Sequence, residues 1–156
     1  VFLVLLLLLR DWVAPFYLIG TMIFSYFVSL GVTSLVFEHA MGQVGLDWKV
    51  SFFMFILLVA LGEDYNIFLM ARIEEERRKL GLLEGVRVAT VRTGPLITFC
   101  GLIMAGTFLS LMLSPLEVLL QLGFGVTVGV LVDTFIVRPL LVPSLVLLVS
   151  RIREGK

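Results

Sequence analysis

Four long stretches of this chain carry few charged side chains, and each is long enough to cross a lipid bilayer. They cover residues 14–36, 50–71, 93–116 and 118–150. About 20 apolar residues in a helix span the hydrocarbon core, which is about 30 Å thick. Barrel strands would instead alternate between polar and apolar side chains over about ten residues, and these stretches do not alternate. The sequence therefore predicts an all-α, polytopic transmembrane helical bundle.

The first residues form a shorter apolar stretch, 1–9, that is followed by Arg10. It is too short to span the bilayer alone. It also lacks the basic residues before it and the small-residue cleavage site after it that a signal peptide has. We therefore expect a truncated span here, so that residues 1–156 are a single transmembrane domain fragment of a larger protein, with four full spans and one truncated span.

The composition excludes a water-soluble monomer. Apolar residues make up 60% of the chain and charged residues 15%, whereas soluble domains have about 45–50% and about 25%. Lone His39 and Cys100 lack the spacing of metal ligands, and the nucleotide-binding and hydrolase motifs GxxxxGK[ST], HExxH and GxSxG are absent from the sequence. We therefore expect no enzyme, no metal, no cofactor and no nucleic-acid partner.

The basic residues predict the orientation of the spans. If five segments alternate across the membrane, Lys49 lies on one side and ten basic residues lie on the other. By the positive-inside rule, the basic side is cytoplasmic. We therefore expect a multi-pass membrane protein whose 72–92 connection and C-terminus are cytoplasmic and whose 37–49 loop is extracytoplasmic. The ten residues are Arg10, Arg72, Arg77, Arg78, Lys79, Arg87, Arg92, Arg151, Arg153 and Lys156.

The 72–92 connection is the most polar part of the chain and has an amphipathic character. Glu74 and Arg78, like Glu75 and Lys79, are four positions apart with the acid first, which favours ion pairs on a helix. This pattern favours a solvated helical extension. The alternative is a short helix that lies on the membrane surface and binds lipid headgroups.

Three acidic residues lie inside the predicted spans: Glu63, Asp64 and Asp133. A charged residue at the centre of a bilayer costs at least about 2.5–3.5 kcal/mol, so these residues need an explanation. From the helical rise, Glu63 and Asp64 lie about 20 Å below one surface, and Asp133 lies about 22 Å below the same surface. Thr98 reaches a similar depth from the opposite end. We therefore expect side chains from three helices to meet in one polar layer.

This layer suggests a proton carrier, with structural alternatives. Desolvation favours the neutral form of a carboxyl, so an acid that switches state can take up a proton on one side and release it on the other. Tyr65 offers a hydroxyl that can donate to the Asp64 carboxylate. Alternatively, Asp64 is a structural acid that Arg138 or the backbone satisfies. Asp133 is expected to pair with Arg138 as a structural salt bridge, and Glu63, which points about 100° away from Asp64, has no assigned role.

Glycines predict close packing between helices. Gly125 and Gly129 have the GxxxG spacing that lets two helices approach each other closely. Gly101 and Gly106 are candidates for the same role. Ordinary packing without a conformational role is the favoured interpretation.

Three segments resemble the MMPL transporters of the resistance–nodulation–division superfamily. Residues 62–76 read GEDYNIFLMARIEEE and resemble the family pattern G-x-D-Y…F-L…R…E-E. Residues 93–108 are similar to the next helix of the family, and residues 129–143 are similar to its last helix. The three motifs occur in the family's order, and the resemblance as a whole covers nearly the whole chain.

The resemblance implies a transporter with two six-helix halves, each interrupted by an extracytoplasmic domain. This chain would be helices eight to twelve, and its partners would be membrane lipids, a lipid or other hydrophobic substrate and the missing N-terminal half with the extracytoplasmic domains. The family uses the proton-motive force to export such compounds across the bacterial cytoplasmic membrane, with protons as the coupling ion. The resemblance implies that Asp64 and Tyr65 are half of the proton relay. The possible surrounding shell comprises Glu63, Thr98, Asp133 and Arg138.

Two points qualify what the resemblance implies. Many members of the family have an apolar residue where this chain has Glu63, so a second titratable group could alter the relay. The alternative function is a sterol-sensing-like membrane module that binds lipid or a partner without transport. Two adjacent acids inside the membrane favour proton coupling over that module.

Overall fold

The computed structural model describes residues 12–42 and 45–154. The truncated span predicted at 1–9 lies outside these ranges. Within them, every regular element is helical, which confirms the predicted all-α bundle. The α-helices are α1 (Ala14–Leu35), α2 (Trp48–Leu80), α3 (Leu82–Leu109), α4 (Glu117–Val132) and α5 (Val142–Glu154).

Three of these helices, α1, α3 and α4, continue without a break into other helical geometries. A π-helical turn, Val36–Ala40, extends α1, and a 3₁₀ turn, Ser110–Leu113, extends α3. A longer π-helical segment, Asp133–Leu141, joins α4 to α5. In the described ranges, four helical stretches are therefore long and apolar enough to cross a membrane: Ala14–Ala40, Trp48–Leu80, Leu82–Leu113 and Glu117–Ile152.

The turn between α2 and α3 consists of one residue. Gly81 adopts φ +82°, a left-handed conformation that glycine reaches without strain. The 72–92 connection is therefore built from the last turns of α2, Gly81 and the first turns of α3. We refer to this end of the bundle as the Gly81 end. No separate helix lies between α2 and α3, because α3 begins at Leu82 and runs on without interruption.

A buried acid holds this helical hairpin together. The Glu76 carboxylate lies 2.9 Å from the Arg72 guanidinium and 2.8 Å from that of Arg92 on α3. Gly85 packs on the backbone of α2, where a Cβ atom would lie 2.6 Å from the Arg77 backbone nitrogen. The ion pairs and the close backbone approach together fix the angle between the two helices.

The ion pairs that the sequence predicts on α2 are present. Arg78 Nε lies 3.1 Å from Glu74 Oε1, and Lys79 Nζ lies 2.6 Å from Glu75 Oε1. All four side chains are largely exposed at the Gly81 end. Exposed pairs of this kind contribute little to stability, so they mark a solvated helix end and do not anchor the fold.

The bundle core forms where α2 packs against α1, α3 and α4. Gly125 and Gly129 of α4 face α2 and α1. A Cβ atom on Gly129 would lie 2.6 Å from Leu58 Cδ2, and one on Gly125 would lie 2.5 Å from Met54 Sδ. The close approach that the GxxxG spacing predicts is therefore observed, and it brings α4 directly against the helix that carries Glu63 and Asp64.

Candidate functional site

An ion pair lies inside the bundle on the π-helical segment. Arg138 Nη2 donates to Asp133 Oδ2, and the two residues are 4% and 6% exposed. In an α-helix, side chains five positions apart point about 140° away from each other. The π-helical geometry, whose hydrogen bonds join residues five apart, brings them onto one face. The local geometry therefore makes this pair possible, and it forms as the sequence predicts.

Tyr65 packs against this ion pair from α2. The Arg138 guanidinium lies 4.2 Å from the centre of the Tyr65 ring, a cation–π contact. The Tyr65 hydroxyl donates to Met104 Sδ on α3 over 3.1 Å. The predicted hydrogen bond from Tyr65 to Asp64 is therefore not formed. Consecutive side chains on a helix diverge by about 100°, which directs Tyr65 inward and Asp64 outward.

Asp64 lies on the outer surface of the described bundle. Its side chain is exposed, and it has no hydrogen-bond or ion-pair partner among residues 12–42 and 45–154. The structural alternative in which Arg138 satisfies Asp64 does not occur, because Arg138 pairs with Asp133. Asp64 is thus an acid within a membrane-spanning helix that the described part of this chain leaves unpaired.

Glu63 lies inside the bundle, in contrast to its neighbour. Its side chain is 7% exposed, and neither carboxylate oxygen has a hydrogen-bond partner among the described residues. Asn66, three positions later, is 1% exposed, and both its amide oxygen and its amide nitrogen are likewise unpartnered there. Residues three apart share a helix face. Reasoning from the sequence missed Asn66, although an amide at that spacing from an intramembrane acid was the available signal.

Thr98 lies near Arg138, at the wall of a cavity between α3 and the π-helical segment. The cavity has a volume of about 170 Å³, and its lining includes Thr98, Thr134 and Arg138. Reasoning from the sequence did not single out Thr134, because a threonine in an apolar span gives no distinctive signal. A second, much smaller cavity of about 10 Å³ adjoins Tyr65, Asp133 and Arg138 on the other side. Arg138 therefore lines both cavities.

The structure thus brings together only part of the predicted polar layer. Tyr65, Asp133, Arg138 and Thr98 surround the two adjoining cavities, whereas Asp64 faces outward. Within the described ranges, no group of three His, Cys, Asp or Glu side chains is placed to hold a metal ion. The chemistry available to these residues is proton binding and charge pairing within a mostly apolar bundle.

Comparisons with known proteins agree with the sequence motifs. The sequence model described as "MMPL family" matches residues 1–156. A Streptomyces coelicolor protein named "Putative membrane protein ActII-3" is 48% identical over 97% of this chain and 21% of its own length. The "Apo-petrobactin exporter" of Bacillus anthracis is 44% identical over 96% of this chain and 20% of its own length. "Probable transport protein MmpL12" of Mycobacterium tuberculosis is 41% identical over 97% of this chain and 13% of its own length.

The chain spans about a fifth or less of the length of these relatives. Two of them are named for export or transport. Together with four helices that can cross a membrane, the comparisons identify a multi-pass membrane protein.

Proposed function

The chain belongs to the MMPL family, and on this premise we propose that it is the C-terminal transmembrane part of a proton-driven exporter. The exporter moves lipids or other hydrophobic compounds across the bacterial cytoplasmic membrane. The Gly81 end and the C-terminus face the cytoplasm, and the 37–49 loop faces outward. Protons are the coupling ion, and the chain has no enzymatic activity of its own.

The observation that carries the proposal is the outward position of Asp64. A charged group in contact with lipid at this depth costs at least about 2.5–3.5 kcal/mol, so intramembrane acids normally face protein or a water-filled path. Since the described part of this chain leaves Asp64 unpaired, we infer that the missing N-terminal half covers it. Asp64 then lies between the two halves, where a proton can be exchanged as the halves move relative to each other.

Tyr65 links this acid to the interior of the bundle. It follows Asp64 directly on α2, and its ring contacts Arg138. A change in the charge of Asp64 therefore occurs one residue away from a side chain that packs on a buried ion pair. In the proposed cycle, Asp64 carries the proton, and Tyr65 transmits the change to Asp133 and Arg138. Glu63, Thr98, Asp133 and Arg138 remain the proposed surrounding shell.

The test begins by identifying a transported compound. Deletion of the gene for the full-length protein is followed by mass spectrometry of lipids and other hydrophobic compounds outside the cell. A compound that disappears on deletion and returns with the wild-type gene becomes the readout. We expect full-length protein with Asp64→Asn to reach the membrane in normal amounts and to fail to restore that compound.

A control is Asp47→Asn, because Asp47 is a partly exposed acid at the N-cap of α2, a position that asparagine also favours. We expect it to restore export fully. Normal, gradient-dependent export by Asp64→Asn would contradict the relay. If the purified protein instead binds lipid without pH dependence and no compound is exported, the sterol-sensing-like module is favoured.

A further inference from the structure

The cavity between α3 and the π-helical segment contains polar groups that need partners. Thr134 and Arg138 both line it, and they are 3% and 4% exposed. Thr134 Oγ1 and Arg138 Nε have no hydrogen-bond partner among the described residues. A buried polar group without a partner costs about 1–3 kcal/mol, so these two atoms call for a polar occupant.

The size of the cavity fits several water molecules, and hydroxyl groups lie along a lining that is otherwise largely apolar and includes Leu69, Ile97 and Phe135. Its volume is about 170 Å³, and a water molecule occupies about 30 Å³ in the liquid. Thr90, Thr93 and Thr98 of α3 add three further hydroxyls to the lining. Two of them already donate to carbonyl groups one turn earlier, from Thr90 to Val86 and from Thr93 to Ala89. Their oxygen atoms keep the capacity to accept hydrogen bonds from water.

The cavity extends from Arg138 toward the Gly81 end. Thr98 and Thr90 are eight residues apart on α3, which corresponds to about 12 Å along the helix axis. Thr90 is half-buried, and the Arg92 side chain, two residues later, reaches the buried Glu76 at that end. The lining therefore runs from the ion pair in the middle of the bundle toward the charged helical hairpin.

We propose that this cavity is a water-filled passage that connects the Gly81 end with the buried Asp133–Arg138 pair. Water bonded to Arg138 Nε and Thr134 Oγ1 hydrates the ion pair from one side. The Tyr65 ring covers the ion pair on the other side. The inference deepens the proposed function by giving the ion pair an aqueous connection to one side of the membrane. Its test requires no transport, so its failure would be distinguishable from failure of the proton relay.

Cysteine accessibility in the full-length protein tests the proposal. The native cysteines, Cys100 included, are first replaced by alanine. Thr98→Cys then places a thiol at the cavity wall, and Phe99→Cys places one on the adjacent outer surface, where Phe99 is 66% exposed. The probe is aminoethyl methanethiosulfonate, with a thiol scavenger on the opposite side of the membrane. Because this reagent modifies the thiolate, which forms in water and not in lipid, we expect Thr98→Cys to react at least about tenfold faster from the Gly81 side.

A second pair of variants tests the route that the reagent takes. Gly94 lines the cavity, and a Cβ atom there would meet nothing within 4 Å, so Gly94→Leu fills the space without a direct clash. Gly106→Leu is the matched control, because a Cβ atom at Gly106 of the same helix also meets nothing within 4 Å. We expect Gly94→Leu to slow the modification of Thr98→Cys to the rate of Phe99→Cys, and Gly106→Leu to leave it unchanged.

Three results would overturn the proposal. Equal rates for Thr98→Cys and Phe99→Cys would mean that the cavity is dry or holds lipid. Faster modification from the opposite side would place its entrance at the other end of the bundle. Unchanged modification in the presence of Gly94→Leu would mean that the reagent reaches position 98 by another path.

Discussion

Two groups of intramembrane acids in this protein differ in how completely the chain satisfies them. Asp133 has a cation on its own helical segment, and that cation has an aromatic ring from α2 against it. Glu63 and Asp64 have no partner in the described part of the chain, and one of them faces outward. We call Asp133 with Arg138 the complete group, because its two charges are paired within the bundle, and Glu63 with Asp64 the incomplete group, because their charges are not.

This difference separates structural acids from acids that are available for function. A buried charge that loses its partner destabilises the fold strongly, so the Asp133–Arg138 pair constrains the packing of the last span. An acid without a partner has no ion pair to lose, so it can change its protonation state without breaking one. The same contrast predicts which substitutions affect stability and which affect transport.

The largest expected effect is the loss of the cation from the complete group. Arg138→Met leaves the buried Asp133 carboxylate unpaired, and we expect it to lower the free energy of unfolding by about 3–5 kcal/mol. The double variant Asp133→Leu/Arg138→Met removes both charges, and we expect much of that loss to be recovered. Thermal unfolding of the purified full-length protein in detergent measures both effects. Equal stability of the single variant and the wild type would remove the distinction between the two groups.

A smaller effect is expected from the aromatic ring that covers the ion pair. Tyr65→Leu removes the ring under the Arg138 guanidinium, and we expect a loss of about 2 kcal/mol because that contact is desolvated. Tyr65→Phe keeps the ring and removes only the hydroxyl, whose partner is the weak acceptor Met104 Sδ. The same unfolding measurement should therefore rank wild type and Tyr65→Phe close together, well above Tyr65→Leu. If Tyr65→Phe were as unstable as Tyr65→Leu, the stabilisation by Tyr65 would come from its hydroxyl and not from its ring.

An acid in the loop provides a water-exposed reference for both groups. The backbone N–H of Lys49 donates to the Asp47 carboxylate, and this hydrogen bond holds the pKa of Asp47 below its ordinary value of 3.8. Because the folded-state pKa is lowered, the stabilisation is fully present above the ordinary value and is lost as the pH falls through the folded-state value. Asp47→Ala should therefore be slightly less stable than the wild type at neutral pH, and the difference should disappear in strong acid. A difference that persists at low pH would mean that the charge of Asp47 is not its source.

The smallest effect on stability is expected from the incomplete group. Asp64→Asn removes an exposed charge that has no partner in the described structure, and we expect a change within about 0.5 kcal/mol. Glu63→Gln replaces one buried, unpartnered polar group by another without the charge, and we expect it not to destabilise the fold. Loss of export without loss of stability in Asp64→Asn would place this acid in the functional class. A large destabilisation by either variant would contradict the placement of these acids in the incomplete group.

The helices could be predicted from the sequence more completely than the directions of their side chains. Long uncharged runs identify spans because the hydrocarbon core excludes unpaired charge, and this physical constraint is independent of tertiary packing. In α2, however, the hydrophobic pattern alone does not indicate which acid points inward, and the signal that does, Asn66 three positions after Glu63, is a single amide. The structure shows that Glu63 does.

Two local backbone geometries could likewise not be predicted from the sequence. The spacing of Asp133 and Arg138 suggests a pair, but an α-helix directs them apart, and the sequence pattern does not predict the π-helical segment that unites them. In that segment Thr134 packs against Gly101 of α3, where a Cβ atom would clash with the threonine side chain. The one-residue turn at Gly81 was also not apparent, because the charge-rich 72–92 segment reads as a connection of ordinary length. At the π-helical segment and at Gly81, the backbone departs from the regular α-helix on which the hydrophobic periodicity is based.

The one-residue turn at Gly81 has a mechanical consequence. Glu76 on α2 pairs with Arg92 on α3, and Gly85 brings the two backbones together, so we expect the adjoining turns of α2 and α3 to move as one unit. If the helix that carries Asp64 moves during transport, we expect the first turns of α3 to move with it.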